Sequence, residues 1–257
     1  MRQADSSGDQ NEAMSPPRAT TLLLVLAIGC AGQSAGDVNE AGGSPQDSLL
    51  AGVPFIARGH EPGWILRISG DSIHLVANYG EDSVDAVTSA RTSQGGATTL
   101  ETPRSVNLTV TVVDEACEDG ATGMPHPRLV LINWATTSLR GCGGQPQGLL
   151  TGNPWTVMDL EGEPVSEPVP TLQFTDSGRV QGTTSCNQFS GPYTLTGEGL
   201  RVGAIIATKR ACLPPTMAQE QRFLRALERV DRFAIPEPGR LQLIVADSAV
   251  LLARRSR

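Results

Sequence analysis

Beyond residue 54, most apolar residues of this chain fall in short segments in which hydrophobic and polar side chains alternate, separated by turn-forming Gly, Asp and Ser. The clearest segment is 106–113 (VNLTVTVV), where Val or Leu alternates with Asn or Thr. A period of two places alternate side chains on opposite faces of a β-strand, so that one face can be buried while the other is hydrated. We therefore expect a mainly β to α+β fold, built from two small antiparallel modules.

The first module, residues 54–144, contains no convincing amphipathic helix and is expected to be all β, as an antiparallel barrel or sandwich. Two hairpins are predicted within it, one turning at Ser69–Ser72 and the other at Ala135–Thr137. In addition to 106–113, the predicted strands are 64–68, 73–78, 129–134 and 138–140.

The second module, residues 150–257, follows a polar linker at 145–149 and combines strands with one α-helix. The helix is predicted at 216–230, with Thr216 as its N-cap and Gln219 in the capping-box position. We expect its apolar stripe to pack on the sheet and its charged face to be solvated. The stripe comprises Met217, Phe223, Leu224, Leu227 and Val230, and the charged face comprises Arg222, Arg225, Glu228 and Arg229. The strands predicted in this module are 155–158, 171–174, 179–181, 241–245 and 250–253.

The N-terminal residues resemble a bacterial lipoprotein signal peptide. Residues 21–29 (TLLLVLAIG) form a short apolar run that is followed at once by Cys30. The resemblance implies that residues 1–29 are removed, that Cys30 is diacylated, and that 30–53 is a flexible tether. Translation from Met14 rather than Met1 would omit three acidic residues that fit poorly in a signal peptide.

A lipid anchor at Cys30 predicts a membrane-bound protein of the cell envelope. Ala31, in place of Asp, follows the cysteine, and the usual sorting of lipoproteins then favours the outer membrane, facing the periplasm, if the cell has one. The membrane is accordingly the first expected partner.

The other four cysteines are expected to form two disulfides, because their number is even and the chain resembles an exported protein. Four cysteines allow three pairings. The linker-like run 143–154 separates the second cysteine from the third, so we expect each side to close its own pair: Cys117 with Cys142, and Cys186 with Cys212. Each bridge would stabilise the fold by about 3.5 kcal/mol in the chain-entropy model.

Charge and motifs argue against several function classes. The formal net charge of −7 is unfavourable for nucleic-acid binding, so no nucleic-acid partner is expected. The sequence has no G-x-S-x-G, H-E-x-x-H, Walker or G-x-G-x-x-G motif, and we predict neither catalytic residues nor a cofactor. Its histidines are scattered and no C-x-x-C occurs, so no metal site is expected either. The acidic run 114–119 (DEACED) fits no EF-hand and is expected to be a solvated turn.

Two stretches of the second module resemble the META domain of the HslJ heat-shock-protein family. The first comprises 170–174 (PTLQF), 176–180 (DSGRV) and 185–193 (SCNQFSGPY); the second comprises 207–212 (ATKRAC) and 217–227 (MAQEQRFLRAL). The resemblance implies an envelope-associated protein linked to stress tolerance, with no established active site. The first module resembles a small uncharacterised envelope domain through 60–64 (HEPGW) and 140–144 (RGCGG).

These observations predict a non-enzymatic, stress-related envelope lipoprotein that binds an envelope protein or polymer. One alternative is an inhibitor of a host or envelope hydrolase, for which a small disulfide-bonded module on a lipid anchor is well suited. Another is an enzyme acting on envelope polymers, which would require a cleft with acidic residues of raised pKa.

Overall fold

The described part of the chain, residues 53–197 and 199–255 of the computed structural model, is mainly β. Two antiparallel sheets carry most of the strands, and one 16-residue helix packs on the second sheet. This confirms the fold class expected from the alternating segments. The predicted signal peptide, Cys30 and the tether up to residue 52 lie outside the described residues.

The first sheet has nine strands and curves into a half-barrel. Its strands are β1 (Phe55–His60), β2 (Gly63–Ser69), β3 (Ser72–Ala77), β4 (Asp82–Val87), β5 (Ala90–Gln94), β6 (Ala97–Glu101), β7 (Leu108–Val113), β10 (Arg128–Trp134) and β11 (Thr137–Gly143). Two short strands, β8 (Cys117–Glu118) and β9 (Pro125–His126), form a separate hairpin.

The strand order in this sheet is β4-β3-β2-β1-β11-β10-β7-β6-β5, so the two edge strands, β4 and β5, follow each other in the chain. Arg91 of β5 donates to the carbonyl oxygen of Gly70 over 3.1 Å, which ties this edge strand to the β2–β3 turn. The side chains at the centre of the core are fully buried: Leu66, Leu75, Leu100, Val110 and Val130.

The segment predicted most clearly, 106–113, forms β7, and its faces are as expected. Leu108, Val110 and Val112 are buried and the threonines between them are partly exposed. The strand begins at Leu108 rather than at residue 106 because Asn107 has a left-handed backbone, with φ of 52°.

The second sheet contains the remaining strands, and the two helices lie in the same part of the chain. The elements are α1 (Gln147–Leu150), β12 (Trp155–Leu160), β13 (Glu163–Pro164), β14 (Thr171–Phe174), β15 (Arg179–Thr183), β16 (Gln188–Leu195), β17 (Leu200–Val202), β18 (Ile206–Ala207), α2 (Pro214–Arg229), β19 (Arg232–Ala234), β20 (Arg240–Val245) and β21 (Ser248–Arg254). The order is β17-β16-β15-β14-β12-β21-β20-β19, with β13 on β12 and β18 on β16. No helix in residues 53–197 and 199–255 is long and apolar enough to cross a membrane.

Helix α2 packs through Phe223 and Leu227 as predicted, but it starts two residues earlier. Met217 was wrongly placed in the packed stripe, because its side chain in the first turn of the helix is 38% exposed. Phe223 and Leu227 are fully buried, and the ring of Phe223 lies edge-on to that of Phe189 at 5.4 Å. The predicted N-cap at Thr216 is wrong, because the cap position is Leu213 and no side chain caps the helix. The first two helical residues are prolines, which have no N–H to be capped.

Two other side chains of α2 differ from the sequence expectation. Gln219 does not close a capping box; its amide accepts from the Ser166 N–H and donates to the Ser185 hydroxyl, both at 2.8 Å. Arg222, predicted to be solvated, donates to Glu163 at 2.6 Å and to the carbonyl oxygen of Leu160 at 2.8 Å. The helix is therefore tied to the sheet by polar bonds as well as by its apolar stripe.

The predicted linker, 145–149, contains the start of helix α1, which Arg255 holds in place. The Arg255 guanidinium donates to the carbonyl oxygens of Leu149, Leu150 and Thr151, and its carbon atom lies 4.1 Å from the centroid of the Trp155 ring. A cation is stabilised both by the free carbonyl oxygens at a helix C-terminus and by the face of an aromatic ring. These bonds hold the chain at the end of the predicted linker.

Each sheet has its own hydrophobic core, but one side chain crosses between them. Met124, from the turn between β8 and β9, is buried in the core of the second sheet. Both sheets belong to one compact unit. The boundaries 54–144 and 150–257 stay a prediction as far as independent folding is concerned.

The structure contains two disulfides, with the pairing expected from the sequence. Cys117 is bonded to Cys142, with Cα atoms 5.4 Å apart, and Cys186 to Cys212, with Cα atoms 6.1 Å apart. The first joins the β8–β9 hairpin to β11. The second joins the turn before β16 to the residue before the N-cap of α2.

Candidate functional site

An open groove of about 620 Å³ lies on the outer face of β14, β15, β16 and β18. The strand register aligns outward-facing side chains across it in two rows. Because residues two apart in a strand point the same way, these rows belong to the hydrated face of the sheet. One row is Gln173, Gln181 and Ser190, and the other is Thr171, Thr183 and Gln188.

Glycine and a short strand give the groove its shape. A Cβ atom at Gly182 would lie 2.1 Å from the carbonyl oxygen of Thr171, so only glycine fits between the two rows. On one side Ile206, Ala207 and Thr208 line the groove, where β18 runs along β16.

Hydrogen bonds fix several of the lining side chains. The hydroxyl oxygens of Thr171 and Thr183 are 3.0 Å apart, and Gln173 donates to the carbonyl oxygen of Gly152 over 3.2 Å. In the part of the chain that the structure describes, the side-chain amides of Gln181 and Gln188 have no hydrogen-bond partner. Each amide is exposed and has both donors and an acceptor free for a ligand.

The groove wall is held by a buried polar network centred on Asn187. Its side-chain oxygen accepts from the Thr208 hydroxyl and from the Arg210 N–H, both at 2.8 Å. Its side-chain amide donates to the Glu220 carboxylate at 3.0 Å. Asn187 thereby joins three elements, the turn before β16, the segment after β18 and helix α2.

Glu220 is the charged member of this network. Its carboxylate accepts from the Asn187 side chain, from the Asn187 N–H at 3.1 Å and from the Thr184 hydroxyl. Charge-assisted bonds of this kind are about twice as strong as neutral ones. The network and the Cys186–Cys212 disulfide brace the same turn, so the wall of the groove is rigid.

A second polar cluster lies in the first module, where its hydrogen bonds hold the β8–β9 hairpin in place. His60 Nε2 donates to Asp119 Oδ2 over 2.8 Å. Asp119 Oδ1 accepts from the N–H groups of Ala121 and Thr122 and from the Thr122 hydroxyl, at 2.9–3.1 Å. Asp119 is only 8% exposed, so the expectation of a wholly solvated acidic turn at 114–119 is wrong for this residue.

The charge of Asp119 is stabilised by these bonds. Burial alone would raise its pKa, but the hydrogen bonds from His60, Thr122 and Ala121 outweigh burial and lower the pKa to about 2. The ionised carboxylate therefore holds the β8–β9 hairpin, which also carries Cys117, against the β1–β2 turn.

The sequence predicted the disulfide cysteines of this region but not the groove. The four paired cysteines are placed as expected, and Cys30 lies outside the described residues. Sequence reasoning missed the groove. A signal for it was present, because the polar positions of strands 171–174, 179–183 and 188–190 are almost all Gln, Thr or Ser, with Arg179 as the one charged residue. In residues 53–197 and 199–255, no three His, Cys, Asp or Glu side chains come together in a way that could hold a metal ion.

Comparison with known proteins finds a family match in the second module. The family model of the META domain matches residues 148–257. An NMR structure of a protein from Burkholderia xenovorans is 27% identical and covers 43% of this chain and 86% of that one, with a TM-score of 0.36. A second NMR structure is 20% identical and covers 42% of this chain and 92% of that one, also with a TM-score of 0.36. No curated protein matches the chain.

Proposed function

We propose that this chain is a non-enzymatic, membrane-anchored binding protein of the bacterial cell envelope, and that the groove of its META domain holds an extended, uncharged polymer. The observation that carries the proposal is the lining of the groove. Amide and hydroxyl side chains stand in register on three strands. Among the described residues, the charged side chain that touches this set is Arg179, which donates to the Ser190 hydroxyl over 2.7 Å.

The chemistry of the lining favours a ligand rich in hydroxyl and amide groups. A glutamine amide can donate and accept hydrogen bonds at once, which suits neighbouring hydroxyl and N-acetyl groups on a polysaccharide. The cavity of about 620 Å³ is within the range of about 300–1,000 Å³ typical of ligand sites. The apolar side chain of Ile206 provides a surface for the less polar face of a sugar ring. The glycan strand of the cell wall is the envelope polymer with this chemistry.

Location and anchoring support the same role. Lipidation at Cys30 would fix the protein to the membrane, and the tether up to residue 53 would let the module reach a polymer at some distance from it. A flexible tether of about 23 residues would have a root-mean-square reach on the order of 26 Å. A role under envelope stress is part of the proposal, because the META resemblance implies it.

The test is sedimentation of the chain 31–257 with purified insoluble peptidoglycan. This chain retains every described element and omits the apolar run at 21–29. The double variant Gln181→Ala, Gln188→Ala should bind at least tenfold more weakly, because it removes the two free amides. Gln94→Ala in β5, an exposed glutamine on the first sheet, is the matched control and should bind like the wild type.

Three results would contradict the proposal. Equal binding by the wild type and the double variant would remove the groove from the mechanism. Release of soluble fragments from the peptidoglycan would favour the enzyme alternative. Inhibition of an added wall hydrolase without binding to the polymer would favour the inhibitor alternative.

A further inference from the structure

A short segment of the second module, residues 206–217, carries both basic and apolar side chains that are exposed. Ile206, Leu213 and Met217 are large apolar side chains that are 71%, 74% and 38% exposed. Lys209 and Arg210 lie between them in the chain and are also exposed. We call these five residues the basic–apolar patch.

The charge of this segment differs from that of the whole chain. The protein carries a formal net charge of −7, yet residues 199–219 contain no Asp or Glu, and Lys209 is the only lysine in the sequence. Within the described ranges, neither Lys209 nor Arg210 has a side-chain ion pair or hydrogen bond. The segment thus carries two exposed cations without an ionic partner among the described residues, and the nearest acid after it in the chain is Glu220.

The segment is held in place rather than free. Cys212 is bonded to Cys186, and the Arg210 N–H donates to Asn187 Oδ1 over 2.8 Å. The Met217 N–H donates to the carbonyl oxygen of Leu213 over 3.1 Å in the first turn of α2, so the backbone of both residues is held at the helix start. A prearranged surface loses little conformational entropy on binding.

We propose that the basic–apolar patch docks on an anionic phospholipid surface. Exposed aliphatic side chains enter the boundary between head groups and acyl chains, and neighbouring cations bind the head-group phosphates. Charge complementarity selects this face, because the rest of the acidic chain is repelled by an anionic bilayer. Docking would orient the module on the membrane and does not depend on lipidation at Cys30 or on a ligand in the groove.

The probe is a set of vesicles of phosphatidylglycerol and phosphatidylcholine in equal amounts, compared with vesicles of phosphatidylcholine alone. The chain 31–257 should sediment with the anionic vesicles and much less with the neutral ones. Each cation near an anionic surface strengthens binding about fivefold. Lys209→Gln with Arg210→Gln should therefore weaken binding about 25-fold, and raising the salt concentration should remove the difference between the vesicles.

A second variant tests the apolar contribution. Leu213→Ser with Met217→Ser should reduce binding to anionic vesicles at least tenfold while leaving its salt dependence in place. Ile206 is left unchanged in both variants because it also lines the groove. Arg67→Gln with Arg104→Gln, two exposed arginines of the first module, is the charge-matched control and should bind like the wild type.

The proposal is wrong if the wild type fails to bind anionic vesicles, or if it binds neutral vesicles equally well. It is also wrong if the control variant loses as much binding as the Lys209/Arg210 variant, since net charge alone would then explain the effect. Circular dichroism and the thermal midpoint of each variant show that it is folded, which is expected because all four patch substitutions are at exposed positions.

Discussion

Acidification should destabilise the first module through a single carboxylate, Asp119. Its pKa is about 2 in the folded chain against an ordinary value of 3.8. A group whose pKa is lowered by folding contributes stability above its unfolded pKa and loses it as the pH falls through the folded pKa. The contribution is therefore complete above about pH 5 and is lost progressively between about pH 4 and pH 2.

The magnitude follows from the difference between the two pKa values. At about 1.36 kcal/mol per pKa unit, the lowered pKa amounts to roughly 2 kcal/mol of unfolding free energy. The carboxylate is 10% exposed, so screening by solvent takes little from this figure. For a folded region of about 200 residues, a loss of this size lowers the thermal midpoint by about 4–8 °C.

Asp119→Asn imposes the same loss at neutral pH, because the amide cannot carry the charge that His60 and the Thr122 N–H stabilise. Urea unfolding at pH 7 and at pH 2.5 is the measurement. The wild type and Asp119→Asn should differ by about 2 kcal/mol at pH 7 and by much less at pH 2.5. Asp82→Asn, an exposed acid in β4, is the control and should change little at either pH.

The reasoning would be refuted by a wild type and an Asp119→Asn variant that keep the same difference at both pH values. That result would mean that the amide disturbs the loop by its shape and not by its missing charge. An Asp82→Asn variant with an equal effect would assign the acid sensitivity to general surface charge.

Three further predictions concern the braces and the anchor. Replacing Cys186 and Cys212 by serine should lower the thermal midpoint by several degrees or more in a calorimetric scan, since the bridge closes a loop worth about 3.5 kcal/mol; an unchanged midpoint would contradict a structural role. Glu220→Gln should cost about 1.5–3 kcal/mol in urea unfolding because it turns an acceptor of three bonds into an amide, whereas exposed Glu228→Gln on the same helix should cost little. Labelling with a clickable palmitate analogue should mark the wild type and not Cys30→Ala. A Cys30→Ala protein that still carries the label and sediments with membranes would show that Cys30 is not the anchor.

The sequence predicted several strands whose alternation is strong. It missed the two edge strands of the half-barrel, and also β1 and β6, which lie inside the sheet. Segment 171–174 was predicted with the bounds that β14 has. By contrast β4 (DSVDAV) and β5 (ARTSQ) have few large apolar side chains, because an edge strand buries little on either face. A period of two in hydrophobicity is absent where burial is absent, so such strands are found only once their partners are known.

The polar sites were hidden from the sequence for a different reason. Asp119 stands in an acidic run that is typical of a hydrated turn, and its burial depends on His60, which is 59 residues away in the chain. The Asn187–Glu220 contact likewise spans 33 residues. The disulfides could be predicted because each pair lies within one module, whereas a carboxylate has too many possible partners for its own to be chosen from sequence.

The Asn187–Glu220 network connects the two proposed binding surfaces. Residues 206–208 form one wall of the groove, and the same segment continues into the basic–apolar patch at Lys209 and Arg210. Since Asn187 bonds to both Thr208 and Arg210, a loosened network should disturb the groove wall and the patch together. Glu220→Gln should therefore weaken peptidoglycan and vesicle binding in parallel, whereas the glutamine variants of the groove should affect the first alone and the Lys209/Arg210 variant the second alone. A Glu220→Gln protein that loses stability but binds both probes normally would show that the network supports the helix and not the surfaces.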